Sequence, residues 1–126
     1  MHNIQGPRTD DNAIEQEIKA KGLTAPRVTP QDLNDNIASA HYFTAQDGAM
    51  ATRDSTYAVD DPDYFLPLSL LTFCVIVLRN GFTVTGESAC ASPENFDAEI
   101  GKKIAFENAK AKIWPLMGYA LKEKLA

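Results

Sequence analysis

The stretch that decides the fold is Leu70 to Ala105, LLTFCVIVLRNGFTVTGESACASPENFDAEIGKKIA. It reads as strand, tight turn, strand and capped helix. Asn80-Gly81 is the favoured pair for a two-residue type I′ turn, whose central residues both need positive φ. Pairing Arg79 with Phe82 across that turn sets Val77 opposite Val84, Val75 opposite Gly86, Phe73 opposite Ser88 and Leu71 opposite Cys90 on the expected core face. The other face then carries Leu78, Ile76, Cys74 and Thr72 against Thr83, Thr85, Glu87 and Ala89. That surface is half apolar, so another strand, the N-terminal helices or a second subunit is expected to cover it. The same register puts Cys74 and Cys90 on opposite faces, which forbids a disulfide between them.

Downstream, Ser92-Pro93-Glu94 has the form of a helix start, with Ser92 as N-cap and proline at the first helical position. Phe96, Ile100 and Ile104 make an apolar row that Ala105, Ala109 and Ile113 widen, as packing on the hairpin requires. Gly101 inside that helix suggests close backbone approach. Pro115 should break or kink the helix after Trp114, which is read as core. Leu116 to Leu125 then forms a last amphipathic helix through Met117, Leu121 and Leu125.

Upstream, residues 1–9 are polar and read as a flexible tail, leaving residues 10–126 as one domain. Asp10 and Asp11 can cap a helix that carries Ile14 and Ile18 on one face and ends at Gly22. Thr29-Pro30 caps a second helix, expected to run to about Ala40 and to bury Leu33 and Ile37. Between Phe43 and Asp63 the periodicity fades, so this segment is expected to be a surface loop or ragged edge strand, with Arg53 and Tyr57 its notable residues. The fold class is therefore α+β: an antiparallel sheet built on a central hairpin, packed by N-terminal helices and two C-terminal helices.

Composition narrows the function. Among 126 residues, 17 acidic against 12 basic side chains give a net charge of -5, which argues against general nucleic-acid coating. Two cysteines without CxxC spacing fit reduced thiols in a cytoplasmic protein. The longest apolar run, near Leu70 to Leu78, is too short to span a bilayer, so no membrane association is expected. Two isolated histidines, His2 and His41, offer no metal-ligand spacing and no evident base for a cysteine nucleophile. No metal or cofactor is implied. Among the carboxylates only Glu87, facing Cys74 in the expected register, could serve acid–base chemistry, and an exposed strand carboxylate is the simpler reading.

Binding a small anion demands less than catalysis: a few cations, an aromatic ring and free donors. Arg79 and Phe82 flank the turn, Asn95 opens the long helix and Arg53 lies in the long loop. These four are the candidate residues for binding a small anionic ligand. An exposed sheet face makes a homo-oligomer the expected assembly.

The run from Thr72 to Leu121 resembles a family of small tailed-phage and prophage proteins named after gene product 49 of phage N-four and gene 66 of phage Sf-six. The resemblance rests on Asn80-Gly81-Phe82, Gly86-Glu87-Ser88-Ala89-Cys90, Pro93-Glu94-Asn95-Phe96-Asp97, Ile113-Trp114-Pro115-Leu116 and Gly118-Tyr119. It extends upstream through Lys21 to Pro30 and His41 to Ala45. Met117 departs from it, where the family more usually has glutamate. The resemblance implies a phage or prophage origin and brings no catalytic residues. By analogy with other small phage accessory proteins, it suggests a non-enzymatic anti-defence sponge that sequesters a cyclic nucleotide or cyclic ADP-ribose-type signal. The alternative is a module that docks on a host or phage protein through its sheet face. An enzyme using Glu87 comes third.

Overall fold

A computed structural model of the chain describes residues 10–54, 56 and 65–126, so the expected tail and Tyr57 lie outside the described residues. Helix α1, Asp11–Ala20, ends as expected, with Gly22 at φ 70° just beyond it. Thr29 and Asp32 form a reciprocal capping box that starts helix α2, Pro30–Asp35. The expected helix to Ala40 is not formed. Ile37–Thr44 is instead strand β1, because Asn36 ends the helix and the following residues gain a full ladder with strand β2, Leu71–Leu78. A second capping box, Thr44 with Asp47, opens helix α3, Ala45–Thr52, inside the segment expected to be loop. A short helix α4, Leu66–Ser69, leads into β2.

The hairpin of β2 with strand β3, Thr83–Ala89, is present but one residue out of the expected register. Val77 pairs with Thr83, Val75 with Thr85, Cys74 with Gly86 and Phe73 with Glu87. The turn explains the slip. Leu78 donates to the Phe82 carbonyl at 2.8 Å, Gly81 donates to the Leu78 carbonyl at 2.9 Å, and Phe82 donates to Asn80 Oδ1 at 2.9 Å. Of the turn residues only Gly81 has positive φ, 89°. This is a three-residue loop with a left-handed glycine, the next most favoured hairpin connection, and not a type I′ turn. Because side chains alternate, a one-residue slip exchanges the faces of one whole strand. Thr72, Cys74, Ile76 and Leu78 point to the core with Val84, Gly86, Ser88 and Cys90, while Leu71, Phe73, Val75 and Val77 face the other way.

The three strands form one antiparallel sheet in the order β1-β2-β3. Helix α5, Ala98–Ala111, packs along β2 and β3 on the core face. Its start differs from expectation: Pro93–Asn95 is a single 3₁₀ turn, and Asp97 is the cap, accepting from Glu99 and Ile100. Phe96 therefore precedes the helix, and Ile100 is 44% exposed, so the inward row is Gly101, Ile104, Ala105 and Ala109. The helix breaks at Lys112, before Trp114, and Pro115 sits in the first turn of helix α6, Ile113–Leu125, where its missing N–H costs nothing. Leu33, Ile76 and Ile113 are fully buried in one cluster with Cys74, Leu78 and Val84. Each such aliphatic side chain contributes about 1.5–3 kcal/mol. Trp114 is only partly buried and packs against this cluster from its edge.

Candidate functional site

The hairpin turn meets the end of α2. Arg79 donates from its backbone N–H to the Asn36 carbonyl at 2.9 Å and from Nε to the Asp35 carbonyl at 3.0 Å. Beside it opens a groove of about 450 Å³ bordered by Arg27, Asp32, Asp35, Arg79, Met117 and Leu121. Arg27 is already committed, gripping both carboxylate oxygens of Glu15 and joining α1 to the chain before α2. That hydrogen-bonded guanidinium holds the Glu15 carboxyl below the usual range, and Glu15 in turn raises Arg27. Asp32 closes its capping box and Asp35 accepts from Gln31 Nε2 at 2.7 Å. The Nη groups of Arg79 have no partner among the described residues. Phe82 is 55% exposed on the turn and does not line the groove.

The other two nominated residues lie elsewhere. Asn95 is in the 3₁₀ turn after β3, and Arg53 caps the C-terminus of α3 in the left-handed region, φ 51°. Both follow the end of the sheet where Thr44 meets Thr72 and Leu71 meets Ala89, whereas Arg79 follows the opposite end of β2. The seven steps from Leu71 to Leu78 separate those ends by about 23 Å. The four residues therefore form no single pocket: Arg79 and Phe82 are together, and Asn95 and Arg53 are not with them.

Glu87 pairs with Phe73 and is exposed, so it does not face Cys74. Cys74 and Cys90 share the core face, contrary to expectation, yet no disulfide joins them. Cys74 sits opposite Gly86, four residues along β3 from Cys90, a separation too large for a bridge. Burial pushes the Cys74 thiol up to about 11. Among the described residues no group of His, Cys, Asp and Glu could hold a metal ion, and no helix is long and apolar enough to cross a membrane.

The larger feature is the sheet face turned away from α5. Leu71, Phe73, Val75 and Val77 run down the central strand there, flanked by His41 and Phe43 on β1 and by Thr83, Thr85 and Glu87 on β3. Phe43 is 41% exposed and stacks at 5.7 Å, tilted, on Phe73. Of the described helices, α5 makes the most extensive contact with the sheet, on the opposite face, where Leu33 of α2 and Ile113 of α6 join the same core; α3 and α4 meet β1 and β2 at the Leu71 end. The face of Cys74, Ile76 and Leu78, expected to be covered by another strand, the N-terminal helices or a second subunit, is covered within the chain.

A profile of the phage protein (N4 Gp49/phage Sf6 gene 66) family matches residues 28–125. The chain belongs to this family. The resemblance read from the hairpin and the Trp114-Pro115 corner is thus borne out, and the matched stretch takes in α2 to α6 and all three strands. No curated protein and no solved structure matches the chain. In this phage protein, α1 and Arg27 precede the family segment, whereas Arg79 and the open sheet face belong to it.

Sequence reasoning missed the contribution of β1 to that face. Two signals pointed to it: the aromatic pair Tyr42-Phe43, favourable in strands, and the Thr44-x-x-Asp47 cap that ends the strand by starting a helix.

Proposed function

We propose that this phage protein acts without catalysis, as an interaction module that docks a host or phage protein on the sheet face of Leu71, Phe73, Val75 and Val77. The observation that carries this reading is the half-buried apolar central row with Phe43, 41% exposed, beside it, on the face opposite α5 that α3 and α4 meet at its Leu71 end. Apolar rows on a sheet normally meet another layer, and open ones mark contact surfaces. Thr83, Thr85, His41 and Glu87 around the row supply a polar rim. A photo-crosslinking residue at Val75, compared with one at Lys102 on α5, tests this in infected cells. One discrete adduct from position 75 and none from 102 is the expected result; equal labelling from both positions would rule the docking face out.

The anti-defence sponge is the second reading, and Arg79 favours it: a guanidinium with free Nη groups borders a groove large enough for a nucleotide. Arg53 and Asn95 no longer support it, being at the far end of the sheet. Calorimetry against cyclic nucleotides and cyclic ADP-ribose isomers, with Arg79→Ala as control, separates the readings. Homo-oligomerisation fits either one, since a second copy could take the same face.

A further inference from the structure

Two hollows lie side by side where α1 leans on the corner between α5 and α6. One, of about 350 Å³, is bordered by Asp11, Glu107, Lys110 and Trp114. The other, of about 250 Å³, has apolar walls of Ile14, Ile18, Val28 and Pro30. Asp11 and Trp114 border both, so the two hollows adjoin at this pair.

The charges at the seam are mostly spoken for. Lys110 lies 4.0 Å from Glu107, and Glu15 is held by Arg27 with Lys19 at 3.8 Å. Among the described residues, no cation or hydrogen-bond donor pairs with the Asp11 carboxylate. An uncompensated carboxylate bordering the same space as an indole is the combination that attracts an ammonium ion, through direct charge and through the electron-rich ring face. Asp11 and Glu107 outnumber Lys110 around the first hollow, and that net negative charge disfavours an anion there. The neighbouring aliphatic walls suit the uncharged body of the same molecule.

We propose that this seam is a binding slot for a small organic cation, an ammonium group on an aromatic or aliphatic body. The cation sits between Asp11 and Trp114, and the body fills the space beside Ile14, Ile18 and Val28. Trp114, Val28 and Pro30 lie in the family segment, whereas Asp11, Ile14 and Ile18 lie before it, so the charge-selecting half of the slot comes from outside that segment. The slot shares no residue with the sheet face, and the two readings are tested separately.

Trp114 is the chain's single tryptophan, so its emission reports the slot directly. The full chain is titrated with phenethylammonium, with neutral 2-phenylethanol and with anionic 3-phenylpropionate. A saturable emission change is expected that is strongest for the ammonium, and Asp11→Asn should weaken its binding by about three- to tenfold while leaving the alcohol unaffected. Glu17→Gln, which removes the same charge from an exposed position of α1, should leave binding unchanged. Equal responses to the three compounds, no saturable response, an unaltered Asp11→Asn variant, or an equal loss in Glu17→Gln would each overturn the proposal.

Discussion

Gly86 lies directly beneath Ala109: a Cβ built on Gly86 would stand 2.2 Å from the Ala109 backbone nitrogen and 2.4 Å from the Ala105 carbonyl oxygen. Helix α5 therefore rests on β3 through backbone, at a point where only hydrogen fits. Neither neighbouring atom belongs to a flexible side chain, so relief requires the helix to lift. Gly86→Ala should cost about 3 kcal/mol or more, read as a lowered urea midpoint. Gly101→Ala is the contrast: its Cβ would meet only the Thr72 side chain, the hydroxyl at 3.1 Å and Cβ at 3.7 Å, and the gain of about 1 kcal/mol in helix propensity should offset that contact. Equal losses at the two glycines would show that α5 does not approach β3 as closely as described.

The hairpin register hangs on Gly81, the turn residue with positive φ. Gly81→Ala should destabilise the protein by about 1–2 kcal/mol, the cost of a side chain in the left-handed region. Asn80→Ala should cost less, because it removes one hydrogen bond to Phe82 and no backbone requirement. Thermal unfolding of both variants checks the order, and a reversed order would favour the type I′ turn.

Acid should loosen α1 before it unfolds the sheet. The Glu15 carboxyl is held below its usual value by Arg27, so the pair contributes fully above the unfolded value of 4.5 and fades as pH falls through the lowered folded value. Amide exchange in α1 should therefore rise at low pH while β2 stays protected. Glu15→Gln should show the same rise at neutral pH, and protection of α1 in that variant would mean that the ion pair does not fasten the helix.

Both cysteines should titrate as thiols in the denatured chain, two per molecule, and resist reagent when folded. Cys74 combines full burial with a thiol pushed up to about 11. The sign of its pH dependence follows. The folded value lies above the unfolded 9.0, so its contribution is complete below pH 9 and is lost as pH rises toward 11. Cys74→Ala should remove that part of the alkaline destabilisation; an unchanged alkaline limb would place its origin in another group.

What the sequence determined by itself was local. Asn80-Gly81 announced a hairpin, Thr29-Pro30 a helix start and Gly22 a helix end, because turn and cap chemistry is written in a few adjacent residues. The motifs around Gly86 and Trp114 also carried the family. Register, and with it the choice of core face, was decided only in three dimensions. Two turn types accept Asn80-Gly81 and differ by one residue; Gly86 faces the core in either register, and what the packed structure decides is which row of β2 joins it, Thr72, Cys74, Ile76 and Leu78 and not Leu71, Phe73, Val75 and Val77. The segment from Ile37 to Phe43 has no strand character that it could realise alone; pairing with β2 supplies the hydrogen bonds that ending α2 at Asp35 makes available. The candidate sites divide in the same way. Arg79 and Phe82 were legible together because one turn holds them, whereas Asn95 and Arg53 could be placed only by the length of the sheet. That Asp11 and Trp114 border the same hollows depends on how two distant helices pack, and no spacing along the chain encodes it.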